Sequence, residues 1–128
     1  MGKQEKFDPE LFFSALADKT RLRLLNLMSD GEVCVCFFAG TLSTNNPKIS
    51  RHLAYLKRAG LVEGRRDGKW MHYRISKPSD ANAAKIFDAT MKLLAEDREM
   101  AADKRQFAAF CCAPGAPVTT IGRARAAK

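Results

Sequence analysis

A mainly α fold with a small β part (α+β) is predicted by three observations. A basic amphipathic helix opens at Asn46-Pro47 and carries Ile49, Leu53 and Leu56 on one face. A polar break, Ser43-Thr44-Asn45-Asn46, separates it from the short apolar segment before it. Two β-rich runs joined by Asp67-Gly68 follow it directly. Helix, polar turn, basic helix and basic hairpin in that order predict a winged helix-turn-helix with a two-stranded wing. A long C-terminal dimerisation helix completes the expected architecture.

Composition agrees with one domain. The chain has 128 residues, 46% of them hydrophobic, which suffices for a modest core. No apolar run approaches the roughly 20 residues that span a bilayer. The start, Met1-Gly2-Lys3-Gln4-Glu5-Lys6, lacks a secretory apolar region, and Lys6 stands where a myristoylation signal wants Ser or Thr. A cytoplasmic protein without a membrane partner is expected. The net charge of +8 favours an anionic partner, of which nucleic acid is the commonest for a small domain.

The elements follow in order. Asp8-Pro9 reads as a helix start, with Leu11, Phe12, Ala15 and Leu16 as its apolar stripe. Asp18 caps a second helix from Lys19, with Leu22, Leu25 and Met28 on one face and a stop at Asp30-Gly31. Glu32-Val33-Cys34-Val35 alternates, as a brief strand or as the lead into a third helix held to the core by Phe38 and Leu42. Asn46 is the expected cap of the fourth helix and Gly60 its C-terminal stop. Pro78-Ser79-Asp80 is a break and a capping site. From Ser79 through Ala113 there is no Gly or Pro, so one long helix or two fill that stretch, with Ala83, Phe87, Met91 and Leu94 as a stripe. Residues 8–112 are expected to form the domain, and 113–128 a disordered basic tail.

This arrangement suits double-stranded DNA. A recognition helix needs an apolar face to dock on its domain and a polar, cationic face for base edges and phosphates. Its N-terminal turn enters the groove first, which selects Asn46, Lys48, Ser50 and Arg51. His52 and Tyr55 also fall outside the apolar stripe, and His52 is expected to contact DNA or to pack. Lys57, Arg58, Arg65, Arg66 and Lys69 would hold phosphates, giving affinity more than sequence choice. The bland alternative for each feature is a solvated amphipathic helix beside a solvated hairpin. Their order is what argues against it.

Three segments carry a family resemblance. They are Glu32-Val33-Cys34-Val35-Cys36, Asn46-Pro47-Lys48-Ile49-Ser50-Arg51-His52-Leu53, and Gly68-Lys69-Trp70-Met71-His72-Tyr73-Arg74. Together they resemble the ArsR/SmtB family of metal-sensing repressors, in its arsenical-resistance branch. The match covers about Phe12 to Ser76. It implies a homodimeric winged helix that sits on its operator without metal and leaves when metal binds. It also implies that Pro47–Arg58 is the recognition helix and Arg65–Lys69 the wing. Dimerisation through the first and last helices fits apolar stripes larger than so small a core absorbs.

The four cysteines are Cys34, Cys36, Cys111 and Cys112. In a reducing compartment they are poor candidates for structural disulfides, and zinc-finger C-x₂-C spacing is absent. Thiolates select soft ions. On a helix, Cys34 and Cys36 would point about 200° apart. On a strand they would share a face with Cβ atoms about 6.5–7 Å apart. Neither regular geometry closes a chelate, so joint ligation is expected to distort the start of the third helix. The resemblance implies that trivalent arsenic or antimony is the inducer, held by three cysteines. The family's better-known third cysteine falls at Ala39 here, which leaves Cys111 or Cys112 to complete the set. The alternative for each pair is a small buried hydrophobe. Cadmium or zinc is the other inducer considered, and four thiolates could hold one tetrahedrally. Zinc-sensing relatives, however, use Asp and His on the last helix, where this chain has Asp88, Glu96, Asp97, Glu99 and Asp103 but no His. A thiol-redox-sensing repressor is a further alternative. An enzyme such as an arsenate reductase would need an acid/base partner and a substrate pocket, and a chain with two His and no Gly-rich phosphate loop shows neither. His72 and the Phe37-Phe38 pair are expected to be structural.

Overall fold

The computed structural model describes residues 7–112, with side chains through Ala109. The elements are α1 (Pro9–Leu16), α2 (Lys19–Leu27), β1 (Val33–Cys34), α3 (Cys36–Leu42), α4 (Asn46–Arg58), β2 (Val62–Asp67), β3 (Trp70–Ile75), α5 (Ala81–Ala95) and α6 (Arg98–Cys112). The architecture is the winged helix-turn-helix, with α3 and α4 as the helix pair and β2–β3 as the wing. The tail expected at 113–128 lies outside the described residues, as do the side chains of Cys111 and Cys112.

Helices begin where a short polar side chain can take up an otherwise free N–H. Asp8 accepts from the Leu11 N–H at 3.1 Å, Asp18 from Arg21 at 3.0 Å and Asp80 from Ala83 at 2.9 Å, as the sequence indicated. At α4 the cap is Asn45, one residue earlier than expected. Its side chain accepts from the Lys48 N–H at 3.0 Å and its carbonyl from Ile49 at 3.1 Å, which makes Asn46 the first helical residue. Among these helices α3 stands apart. Val35 precedes it with no side-chain cap, and it ends at Ser43 in the left-handed region (φ 54).

The stretch left open as one helix or two is two. Asp97 divides it, because its carboxylate accepts the Met100 N–H at 3.0 Å and its carbonyl accepts the Ala101 N–H at 3.0 Å. After this break α6 lies against α2 and α3. The Arg23 guanidinium donates twice to Asp103, at 2.7 and 2.9 Å, and the Asn26 amide donates to the Met100 carbonyl at 2.9 Å. Phe107 meets Phe37 edge-on with centroids 6.1 Å apart.

The alternating stretch at 33–35 is both of the things it could have been: a brief strand, then the entry to α3. The sheet runs β1-β3-β2, all antiparallel. The thiol-bearing strand is therefore hydrogen-bonded to the wing itself, with Val33 opposite Tyr73 and Cys34 opposite His72. The hairpin loop is Gly68-Lys69, since Asp67 pairs with Trp70. Gly68 has φ 64, the conformation a primed hairpin turn demands at its first central residue.

One core joins these elements. Phe12, Leu24, Leu25, Met28, Phe37, Phe38, Ile49, Leu53, Leu56, Leu61 and Phe87 are all at most 1% exposed. The expected stripes of α2, α4 and α5 face it. Phe13 on α1 and Ile86 and Leu93 on α5 remain exposed. Among the described residues no helix is long and apolar enough to cross a membrane.

Candidate functional site

α4 is the helix that the sequence marks for recognition. Ile49, Leu53 and Leu56 are fully buried and seat it on the core. Gly60, at φ 80, ends it without steric cost. Seating these three residues turns Asn46, Lys48, Ser50, Arg51, Lys57 and Arg58 outward, and all six are exposed. His52 and Tyr55 are only half-buried and look toward α2. The Arg21 guanidinium carbon lies 4.0 Å from the Tyr55 ring centroid, and its Nη1 lies 3.3 Å from His52 Nδ1. Asp18 approaches the same imidazole nitrogen at 3.7 Å. Arg58 covers the Tyr55 ring at 5.0 Å.

The wing residues fall into two environments. Arg65 donates from Nη2 and Nε to Glu32, at 2.8 and 3.1 Å, and Glu32 is buried. The hydrogen bonds from Arg65 hold the Glu32 carboxyl below the ordinary carboxylate range, against the opposing effect of burial. The Arg65 charge is thus largely answered inside the protein. Arg66 and Lys69 are exposed, and the Lys69 ammonium sits 5.7 Å from the Trp70 ring centroid. Arg74 pairs with Glu63 across the hairpin at 3.0 Å.

The thiol pair occupies a junction rather than a regular element. Cys34 is the last residue of β1, Val35 turns the chain, and Cys36 is the first residue of α3. The two Sγ atoms are 2.9 Å apart. The junction is neither of the two regular geometries weighed from the sequence. Helical and extended spacing both keep the sulfurs apart, but a strand-to-helix switch at Val35 brings them together. Cys34 is fully buried and Cys36 half-buried, so one ion reaching both would enter from the Cys36 side. Among the described residues no three His, Cys, Asp or Glu side chains converge as a ligand set. The side chains of Cys111 and Cys112, the other two thiols of the sequence, lie outside the described residues. Among the described residues of this region, Asp103 pairs with Arg23, Glu99 with Lys19, and Asp97 caps α6. His72 is buried at 1% exposure, and neither ring nitrogen has a hydrogen-bond partner. Its Nε2 lies 3.9 Å from Asp67.

Two residues that matter here escaped the sequence reading. Arg21 and Glu32 meet partners 31 and 33 positions away, beyond any local pattern.

Comparison with known proteins agrees with this geometry. Residues 18–64 match the family model described as bacterial regulatory protein, arsR family. The chain is 51% identical over 81 residues to the arsenical resistance operon repressor of Escherichia coli K12, covering 62% of this chain and 69% of that protein. It is 39% identical over 99 residues to the arsenic resistance transcriptional regulator ArsR1 of Pseudomonas putida, covering 73% and 77%. A solution structure of a homodimeric winged helix-turn-helix DNA-binding domain from Mycobacterium bovis, a possible ArsR-family regulator, superposes with a TM-score of 0.56 at 33% identity, over 69% of this chain and 79% of that one. With its α3–α4 pair, its basic exposed helix face and its wing, the chain belongs to the arsR family of bacterial regulatory proteins, as a DNA-binding transcriptional repressor and not an enzyme.

Proposed function

We propose that this repressor binds its operator as a homodimer and leaves it when trivalent arsenic or antimony joins Cys34 and Cys36. The observation that carries this reading is the 2.9 Å separation of the two sulfurs at the β1–α3 junction. Trivalent arsenic or antimony, when bound, supplies covalent bonds to thiolate sulfur. Cys111 or Cys112 provides the third thiolate. Support comes from α6, which lies on α3 through Phe107 and Phe37, the latter adjacent to Cys36. Cys111 follows Phe107 by one helical turn in α6.

Residues 8–112 form the unit that carries both activities. Asn46, Lys48, Ser50 and Arg51 read base edges and the flanking phosphates from the N-terminal turn of α4. Arg66 and Lys69 hold phosphates from the wing. Arg65 contributes less, because Glu32 already satisfies it. His52 and Tyr55 border this surface from its α2 side. The exposed Phe13, Ile86 and Leu93 lie on α1 and α5, which supports dimerisation through the first helix and α5, the first of the two helices that fill the C-terminal stretch, in place of the last helix expected from the sequence.

Two routes lead from the thiols to the DNA surface. One is the ladder β1–β3, in which Cys34 pairs with His72 and the Val35 N–H donates to the Met71 carbonyl at 2.9 Å. The other is α3, which packs on α4. A change in how Cys34 and Cys36 are held reaches both the wing and the recognition helix. Reversing operator occupancy from 99:1 to 1:99 requires about 10⁴-fold differential affinity between the two states.

The test is a mobility titration on the duplex that the wild-type protein enriches from a random-sequence pool. Arsenite should release wild type, while Cys34→Ser and Cys36→Ser bind the duplex normally and stay bound. Normal release of both variants would remove the thiol pair from the switch. Release by cadmium or zinc but not arsenite, or by peroxide alone, would overturn the inducer.

A further inference from the structure

We infer that Arg21, on α2, is a positioning residue that sets the recognition helix against α1 and thereby fixes the spacing of the DNA half-sites. The inference rests on the reading of the chain as a dimeric operator-binding protein that pairs through α1 and α5.

Arg21 is the point where three helices meet. Its Nη2 donates to the Ser14 carbonyl at 2.8 Å and its Nε to the Ala15 carbonyl at 3.0 Å. Both carbonyls belong to the last turn of α1, and that of Ser14 also accepts the Ala17 N–H at 3.1 Å. The cation also answers the negative end of the α1 dipole. Its remaining terminal nitrogen, Nη1, faces His52 at 3.3 Å, and the flat guanidinium lies on the Tyr55 ring at 4.0 Å. Asp18 caps α2 through the Arg21 N–H and also approaches His52, so the start of α2 is held from both sides. Each of the three guanidinium nitrogens therefore meets a partner within the domain, and one face is stacked. Such a group is poorly placed to hold a phosphate, although it lines the same cleft as Arg51 and Arg58.

The consequence is geometric. α1 carries the exposed Phe13 of the proposed dimer face, and α4 carries the base-reading residues. Arg21 joins the two by side-chain contacts that require a planar fork. Lysine cannot donate to two carbonyls and stack on a ring at once. In a dimer the angle between α1 and α4 is doubled across the two-fold axis, so a small rotation of α4 changes the distance between half-sites.

The test compares wild type with Arg21→Lys by fluorescence anisotropy. The probes are the pool-selected duplex, the same duplex with one base pair added or removed between half-sites, and a random duplex, each over a salt series. Arg21→Lys should weaken the selected duplex by about tenfold and blunt discrimination among the spacer lengths. Affinity for random duplex should change by no more than about twofold, with the salt slope retained. A variant that is simply less stable but still folded at the assay temperature would keep its spacer preference. Equal losses on selected and random duplexes, with the slope reduced by about one, would make Arg21 a phosphate contact instead. Unchanged spacer discrimination would also overturn the inference. If Arg21→Lys yields little folded protein, Tyr55→Leu, which removes the stacked ring, must show the same relaxed spacing. Wild type that shows no preference among duplexes would refute the operator-binding reading itself, independently of Arg21.

Discussion

The two helices of the helix-turn-helix are built to opposite specifications. α4 has an Asn45 cap, a Gly60 stop, three fully buried anchors and a lateral fastening to Arg21. α3 has seven residues, no side-chain cap, and a non-glycine residue in the left-handed region at its end. Its first residue is Cys36. The difference separates two tasks. α4 must present a fixed surface to a groove, whereas α3 is anchored by the buried Phe37 and Phe38 but enters without a side-chain cap. In the proposed switch, a change at that uncapped entry moves a rigid reader instead of melting it.

The largest expected effect breaks the rigid side. Leu53→Ala opens a cavity under α4 and should cost about 3 kcal/mol in denaturant unfolding. A loss below about 1 kcal/mol would show that α4 is loosely seated. Next is the cap. Asn45→Ala should destabilise by about 1 kcal/mol and weaken operator binding, whereas Asn46→Ala should leave stability nearly unchanged. The reverse order would restore Asn46 as the cap. On the soft side, Ser43→Gly relieves the left-handed strain and should stabilise by about 0.5 kcal/mol.

Two smaller effects concern the wing. Arg66→Ala should lower the salt slope of DNA binding by about one, and Arg65→Ala by clearly less, because Glu32 neutralises Arg65 in the free protein. Equal slopes would mean that the Glu32 pair opens on DNA. Glu32 also gives a pH signature. Its carboxyl titrates lower in the folded state than in the unfolded chain, so its contribution is present above the unfolded value of about 4.3 and is lost as pH falls through the folded value. Glu32→Gln should therefore flatten the acid limb of the stability curve below about pH 4 and leave its neutral shape alone.

Much of this was legible in the chain. Asp8, Asp18 and Asp80 announced their helices, and Ile49, Leu53 and Leu56 named the buried face of α4, because caps and amphipathic periods are local. The candidate base-reading residues followed from that face. What stayed hidden was non-local or lay between regular elements. Asn45 and Asn46 are chemically equivalent, and only the fold decides which one caps. Asp97 split α5 from α6 as one acidic residue among several. The closeness of Cys34 and Cys36 arises from a strand-to-helix change that neither period describes. Arg21, Glu32 and Arg23 act on partners brought together only by packing, at separations of 31, 33 and 80 residues.

The division between a soft sensor and a rigid reader is tested most directly by amide hydrogen exchange on the DNA-free protein, with and without arsenite. The account predicts that amides of Val33–Leu42 exchange faster than those of Ile49–Leu56 without arsenite. On adding it, protection should change at Val33–Leu42 while Ile49–Leu56 keeps its own. Loss of protection along α4, with α3 unchanged, would contradict it.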